Sequence, residues 1–175
     1  MDTGGFAPML DTERLRLRAH RREDFAAMVA IWADPEVVRH ISGQPASVEA
    51  TWARLLRYRG HWGMLGFGYW AVQERASGRF LGDVGLADCQ RGLSGFDGLP
   101  EAGWVLAQAA HGKGYATEAM RAVLAWAAEQ LDEPRSYCLI APEHQGSIRV
   151  AEKLGYSLAA RLPYHGQDSL VLARG

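Results

Sequence analysis

The period at which apolar residues recur changes several times along the chain, and each change predicts an element. From Arg14 to Ala19 the residues alternate, Leu15 and Leu17 standing between Arg14, Arg16 and Arg18, as in a half-buried strand with one wet face. Between Glu23 and Ala33 the period becomes helical. Phe25, Met28, Val29 and Trp32 share a face there, and Asp34-Pro35 ends the run. A second helix is predicted over Ser47–His61, with Ser47 as N-cap and Val48, Trp52, Leu55 and Leu56 as its stripe. Three strand-like runs follow at Gly68–Glu74, Phe80–Leu86 and Ala102–Leu106, the first two joined by a tight turn at Ser77-Gly78. The loop Gln90–Pro100, with its glycines and proline, is the segment predicted to be mobile.

After Leu106 the pattern is different. Thr117–Gln130 places Met120, Val123, Leu124 and Ala127 at helical spacing, and Ser136–Ala141 is a short apolar strand. Gln145–Leu154 is a further helix stopped by Gly155, and Tyr156–Arg161 with Ser169–Ala173 forms a closing antiparallel pair. Antiparallel strands that lead into strand–helix–strand predict an α/β fold. Its sheet is mixed, with parallel pairing across the crossover and helices on both faces. With 175 residues and no repeat or long linker, a single domain spanning 1–175 is expected, its core from about residue 10.

Composition narrows the class. Apolar residues make up 48%, charged residues 22%, and the net charge is −1, so a nucleic-acid partner, which calls for a basic face, is not expected. The cluster Arg14, Arg16, Arg18, Arg21 and Arg22 reads as a solvated face. Cys89 and Cys138 fit no metal or redox spacing, and no two histidines lie at i, i+3 or i, i+4, so no metal site is predicted. Met1–Leu10 lacks a signal-peptide pattern and no run is long enough to span a membrane. A soluble cytoplasmic protein is the expectation.

Chemistry concentrates in the stretch from Ala102 to Ala119. A strand passes into a loop with Gly112 and Gly114 two apart, and the loop opens straight into a helix. N–H groups at a helix start have no internal acceptor, and glycine lets a ligand come close, so an anion can be cradled there. The loop has neither the Lys-Ser/Thr of a P-loop nor the third glycine of a dinucleotide fingerprint. On these residues alone, a tight turn and a phosphate site are both open.

His111-Gly112-Lys113-Gly114-Tyr115-Ala116 resembles the acetyl-CoA signature of the GNAT superfamily of N-acetyltransferases, Gln/Arg-x-x-Gly-x-Gly/Ala. The fuller run to Ala119, the opening Thr12–Arg18, and Ser147–Tyr156 are similar to the RimJ/RimL-type branch, in the same order. The resemblance implies a mostly antiparallel mixed sheet of about six to seven strands, with acetyl-CoA held between a splayed central pair. Main-chain groups of Val105, Leu106 and Ala107 would pair with the pantetheine arm. Backbone N–H groups of Gly112, Lys113, Gly114, Tyr115, Ala116 and Thr117 would hold the pyrophosphate. An amine would enter from the other side, and dimers are common among such relatives.

Two positions depart from the pattern: His111 replaces the Gln/Arg, and His144 stands where the family usually has Asn. Both are expected to tune cofactor affinity, which would weaken as pH rises if a protonated imidazole helps hold phosphate. For chemistry, the resemblance points to Glu101 as a base acting through water and to Ser147 as the acid that protonates the leaving thiolate. The tyrosine many GNAT enzymes use as the acid is absent, its position being Ala151. Bland readings stand beside these: Glu101 as a solvated loop end, Ser147 as a helix-start serine, and Glu118, a weaker candidate for the base, as a dipole partner. Trp52, Trp62, Phe67, Tyr69, Trp70 and Trp104 are predicted to be mostly core, with one or two lining an acceptor pocket. The functional expectation is direct transfer of acetyl to a primary amine. A CoA-binding sensor without turnover, or an enzyme for another acyl-CoA, is the alternative.

Overall fold

The structure, a computed structural model, describes residues 6–133 and 135–175; the signal-peptide expectation for Met1–Leu10 therefore falls partly outside the described residues. In chain order the elements are β1 (Leu10–Asp11), β2 (Leu15–Arg18), α1 (Phe25–Trp32), α2 (Pro35–Val38), α3 (Val48–Leu65), β3 (Tyr69–Glu74) and β4 (Phe80–Ala87). They continue with β5 (Glu101–Leu106), α4 (Tyr115–Gln130), β6 (Ser136–Ile140), α5 (Gln145–Lys153), β7 (Ser157–Tyr164) and β8 (Gln167–Arg174). Among the described residues the strands form one eight-stranded sheet in the order β1-β2-β3-β4-β5-β6-β8-β7. Every neighbouring pair is antiparallel except β5 and β6.

The eighth strand is β1, which pairs Leu10 with Leu17 and Asp11 with Arg16 and is too short for any period to reveal. Helix α2 was hidden for a different reason. Asp34-Pro35 stops α1, yet the Asp34 carboxylate accepts from the Glu36 N–H at 2.9 Å while Pro35 occupies the first helical position, so the same pair starts a new helix. Ser47 caps α3 as expected, accepting from the Ala50 N–H at 3.0 Å. That helix runs past His61 to Leu65, despite Gly60 and Gly63, because Trp62 packs at 4.6 Å on Trp70 and 5.4 Å on Trp126. Burial of a tryptophan outweighs about 1 kcal/mol of glycine propensity.

Successive residues of the central strands alternate between two apolar clusters, as side chains on a pleated sheet must. Trp70, Leu81 and Leu106 join the larger cluster with Met120 and Val123 of α4. Tyr69, Phe80 and Val105 pack on the smaller one with Met28, Trp32, Leu55 and Tyr58 of α1 and α3. The sheet is thus covered by helices on both faces. The wet-face reading of β2 holds for Arg14 and Arg16 but not for Arg18. Arg18 is buried and donates to both oxygens of Asp24, at 2.8 and 2.7 Å. A second buried polar knot ties α1 to β4: Asp83 accepts from the Trp32 indole at 3.1 Å and lies 2.6 Å from His20 Nε2.

One feature of the sheet opens a site. Strands β4 and β5 pair over six positions, and β6 and β8 over five, but β5 and β6 pair only at Glu101–Tyr137. Each of the two strands follows its other neighbour, and a wedge widens from Glu101 toward Leu106.

Candidate active site

The wedge runs into the glycine loop. Past Leu106 the chain holds on to β4 through Ala107, whose N–H donates to Leu81 O at 2.8 Å, then makes a turn at Gln108–Ala110. Gly112 and Gly114 both take positive φ, +72° and +78°, where L side chains are strained. Gly114 is the N-cap of α4 and offers no side chain to the first turn, so the leading N–H groups stay available to a ligand. The helix expected from Thr117 begins at Tyr115, which brings Tyr115, Ala116 and Thr117 into its first turn. No atom lies within 4 Å of a Cβ built on Gly112, and only Arg14 Nη2 approaches that of Gly114, at 3.5 Å. That open space beside backbone N–H groups fits a diphosphate.

Side chains from elsewhere hold the loop. Arg14 Nη1 donates to the Lys113 carbonyl at 2.9 Å, and its Nε donates to Glu118 at 2.7 Å. Glu118 also accepts from Thr12 Oγ1 at 2.6 Å and from the Arg14 N–H at 2.9 Å. Glu118 is therefore a clamp between the turn leading into β2 and the start of α4, a fuller structural role than partnering the helix dipole. Tyr115 donates to Glu74 at 2.8 Å. His111 Nε2 lies 2.8 Å from Leu106 O and must donate to it, which tethers the loop to the end of β5.

Two cavities flank the wedge. One, of about 450 Å³, is lined by Leu106, Gly112, Gly114, Tyr115, Ala116, Thr117 and, from α5, Arg149 and Lys153. The other, of about 640 Å³, lies against Arg54, Arg57, Tyr58, Tyr69, Asp88, Arg91 and Glu101. They share His40, Ile41, Trp104, Val105, His144 and Ser147, so they meet at the middle of β5 and the start of α5. Of the six aromatic residues singled out in the sequence, Trp62 and Trp70 are core, Phe67 packs against that core, Tyr69 and Trp104 line the cleft, and Trp52 lies on the surface, 38% exposed.

At that junction Ser147 is 8% exposed, accepts from the Trp104 indole at 3.2 Å, and sits 3.3 Å from His144 Nε2. His144 is the N-cap residue of α5 but caps nothing with its side chain. Its ring stacks on His40 at 4.9 Å. Burial first, then neighbouring His40 and His111, lowers its pKa to about 4. These surroundings favour the neutral imidazole at physiological pH and so disfavour an electrostatic grip on phosphate by this residue. The consequence for stability has a definite sign. Its folded pKa lies below the unfolded value of about 6.5, so the unfolded chain takes up a proton that the site refuses. Stability falls as pH drops through 6.5 toward 4.

Glu101 does not present a free carboxylate. Arg91 grips both oxygens, through Nε on Oε2 and through Nη2 on Oε1 at 2.8 Å, and Tyr137 donates to Oε2 at 3.0 Å. Before this group could take a proton from an acceptor it would have to release one of them. As it stands it pins Arg91, and with it the loop after β4, to the closed end of the wedge. The sequence offered no sign of Arg91 as a partner, because the pair spans a loop without periodicity. Arg54 and Arg57 were likewise missed as cleft residues. Arg54 and Arg57 stand at i, i+3 on α3, a pattern indistinguishable from a solvated helix face.

A wedge between one parallel strand pair, ending on a glycine loop at a helix N-terminus, defines a protein that holds an extended, phosphate-bearing ligand along a strand. Residues 14–157 match the sequence profile of the acetyltransferase (GNAT) domain, and the chain belongs to that family. It is an acyl-CoA-dependent acetyltransferase. The uncharacterized protein YkkB of Bacillus subtilis is 31% identical over 147 residues, 83% of each chain. Among solved structures, a GNAT-family acetyltransferase from Bordetella pertussis superposes with a TM-score of 0.85 at 30% identity, covering 97% of this chain and 100% of that one. An acetyltransferase from Agrobacterium tumefaciens gives 0.82 at 29%, covering 97% and 95%. Among the described residues no helix is long and apolar enough to cross a membrane, and no cluster of His, Cys, Asp and Glu could hold a metal ion.

Proposed function

We propose that the protein transfers acetyl from acetyl-CoA directly to a primary amine in a ternary complex, working in the cytoplasm and near the RimJ/RimL-type branch of its family. The observation that carries this is the junction. Two cavities, one ending on the Gly112–Thr117 backbone, meet at the same stretch of β5. A structure of the same fold at 16% identity, with a TM-score of 0.78, is described as RimL, the ribosomal L7/L12 alpha-N-protein acetyltransferase, in complex with coenzyme A. That complex supports a coenzyme A thioester as the donor for this fold.

The residues divide the work. Main-chain groups at the Val105–Leu106 end of β5, apart from the Leu106 carbonyl that His111 holds, align the pantetheine arm like an added strand. N–H groups of Gly112 to Thr117 bind the pyrophosphate. The amine nitrogen attacks the thioester carbon from the larger cavity and the carbon–sulfur bond breaks. Ser147 then gives its proton to the departing sulfur and takes one back from the nitrogen, directly or through water. Its oxygen accepts from Trp104, so its own O–H is free to point elsewhere, at His144 or at the sulfur. No acyl-enzyme on cysteine is needed. Burial pushes the Cys138 thiol up to about 12, so it is no ready thiolate.

A thiol-release assay with acetyl-CoA and a panel of amines tests turnover, and CoA binding without turnover on any acceptor would instead favour a sensor. Two binding predictions accompany it. Gly114→Val forces a β-branched side chain into positive φ beside the pyrophosphate cradle. Calorimetry on the folded variant should show CoA affinity lowered at least about tenfold. Affinity within a few-fold of wild type would place the phosphates elsewhere. For His144, the ratio of CoA affinities of wild type and His144→Asn should be the same at pH 5.5 and pH 8.5, because the imidazole is neutral at both. A wild-type advantage that grows at pH 5.5 would restore the charged role.

A further inference from the structure

We propose that the acceptor is a small amine bearing a carboxylate, and that Arg54 and Arg57 of α3 bind that carboxylate. The proposal rests on the larger cavity being the acceptor side, as argued above.

Arg54 is unusual among the basic residues of the cleft. Its Nε and Nη1 are shut off from water and have no hydrogen-bond partner. Leaving such donors unmatched is costly, and guanidinium groups that persist in this state are commonly waiting for an anion. Its plane is fixed by packing 3.5 Å over the Trp32 ring, and Trp32 is itself anchored on Asp83. Asp83 attracts Arg54 through space, but its two oxygens are occupied by His20 and Trp32. Arg57 lines the same cavity three residues on and makes no ion pair among the described residues. It is near enough for the two like charges to disfavour one another.

Most other charges in the cavity are already matched. Arg91 is held by Glu101, and Asp168 by Arg161. What remains is two cations at one end and one carboxylate, Asp88, whose partner is the neutral Gln90 amide at 2.7 Å from each oxygen. A pair of unanswered guanidiniums repels a polyamine and matches a carboxylate, which arginine grips with two parallel N–H donors. The lone Asp88 suits the ammonium of the same molecule before it loses its proton. The complement of this charge pattern is an amino-carboxylate.

The test is a thiol-release comparison of a set of amino acids with their amides and decarboxylated amines, and with spermidine as a polycation. The amino acids should be turned over with kcat/KM about tenfold or more above their amides. Arg54→Gln should raise KM for the amino acid about 10–100-fold, leave kcat and CoA affinity within a few-fold, and erase the difference between acid and amide. Arg57→Gln supplies the same measurement if Arg54→Gln does not fold. Equal turnover of acid and amide overturns the proposal. So does preference for spermidine, or failure of every amino acid to react or to bind the CoA-loaded protein in calorimetry. If CoA itself does not bind, the parent reading falls as well, which separates the two failures.

Discussion

Ser147→Ala should lower kcat about 10²–10⁴-fold, the usual size of a lost proton donor, while CoA affinity stays within a few-fold of wild type. The reason is where the interaction forms. In the resting protein the hydroxyl accepts from Trp104 and faces a neutral His144. It meets the sulfur only as negative charge develops there, so its removal costs the transition state and not the ground state. A purely structural serine predicts something else. Loss of a local helix-start bond would lower stability by about 1 kcal/mol and leave turnover almost intact. The melting temperature and kcat of the one variant, measured together with the best acceptor found, discriminate the two. Near-normal kcat with a lowered melting temperature would end the catalytic assignment.

Gly82→Ala should be among the most destabilising single changes in the molecule. Gly82 sits in β4 opposite Leu106 with φ at +149°. A Cβ there would lie 2.1 Å from Val105 O and 2.8 Å from Leu106 Cα, both backbone atoms. Side chains can rotate away, but the backbone of a paired strand cannot move without breaking its ladder. Overpacking and backbone strain together cost about 3–5 kcal/mol. For a chain of 175 residues that is a fall in melting temperature of roughly 10 °C or more. Because the displaced strand is the one along which acetyl-CoA is proposed to lie, CoA affinity should fall with it. Gly60→Ala is the control. Its Cβ meets nothing within 4 Å on α3, and it should stabilise by about 0.4–1 kcal/mol. A Gly82→Ala protein that melts within two or three degrees of wild type would show that β4 and β5 are not packed this closely.

How far the sequence could be read depended on how local each cause was. Strands β2 to β8 were legible because Leu15 and Leu17, or Trp70 and Val72, repeat at the period of a pleat. The helices were legible because Met28 and Trp32, or Met120, Val123 and Leu124, repeat at the period of a turn. Ser47 was legible because capping needs only the few residues around it. What escaped was short or conditional. Two-residue β1 exists only because β2 lies beside it, and α3 reaches Leu65 only because Trp70 and Trp126 receive Trp62. Arg18 looked like its wet neighbours Arg14 and Arg16 until Asp24 folded over it.

The same division runs through the site. By itself the sequence determined the sheet-with-helices architecture, the glycine loop opening α4, and the presence of Ser147 and His144 at the start of α5, since each follows from residues adjacent in the chain. Only the tertiary structure decided that β5 and β6 part after a single pair, that Glu101 is spoken for by Arg91 and Tyr137, that His144 is held neutral, and that Arg54 is left without a partner. Each of these depends on which groups from distant segments share a site and on how much water they exclude. Charge state and hydrogen-bond occupancy are set by that surrounding volume, and a one-dimensional pattern of residues carries no measure of it.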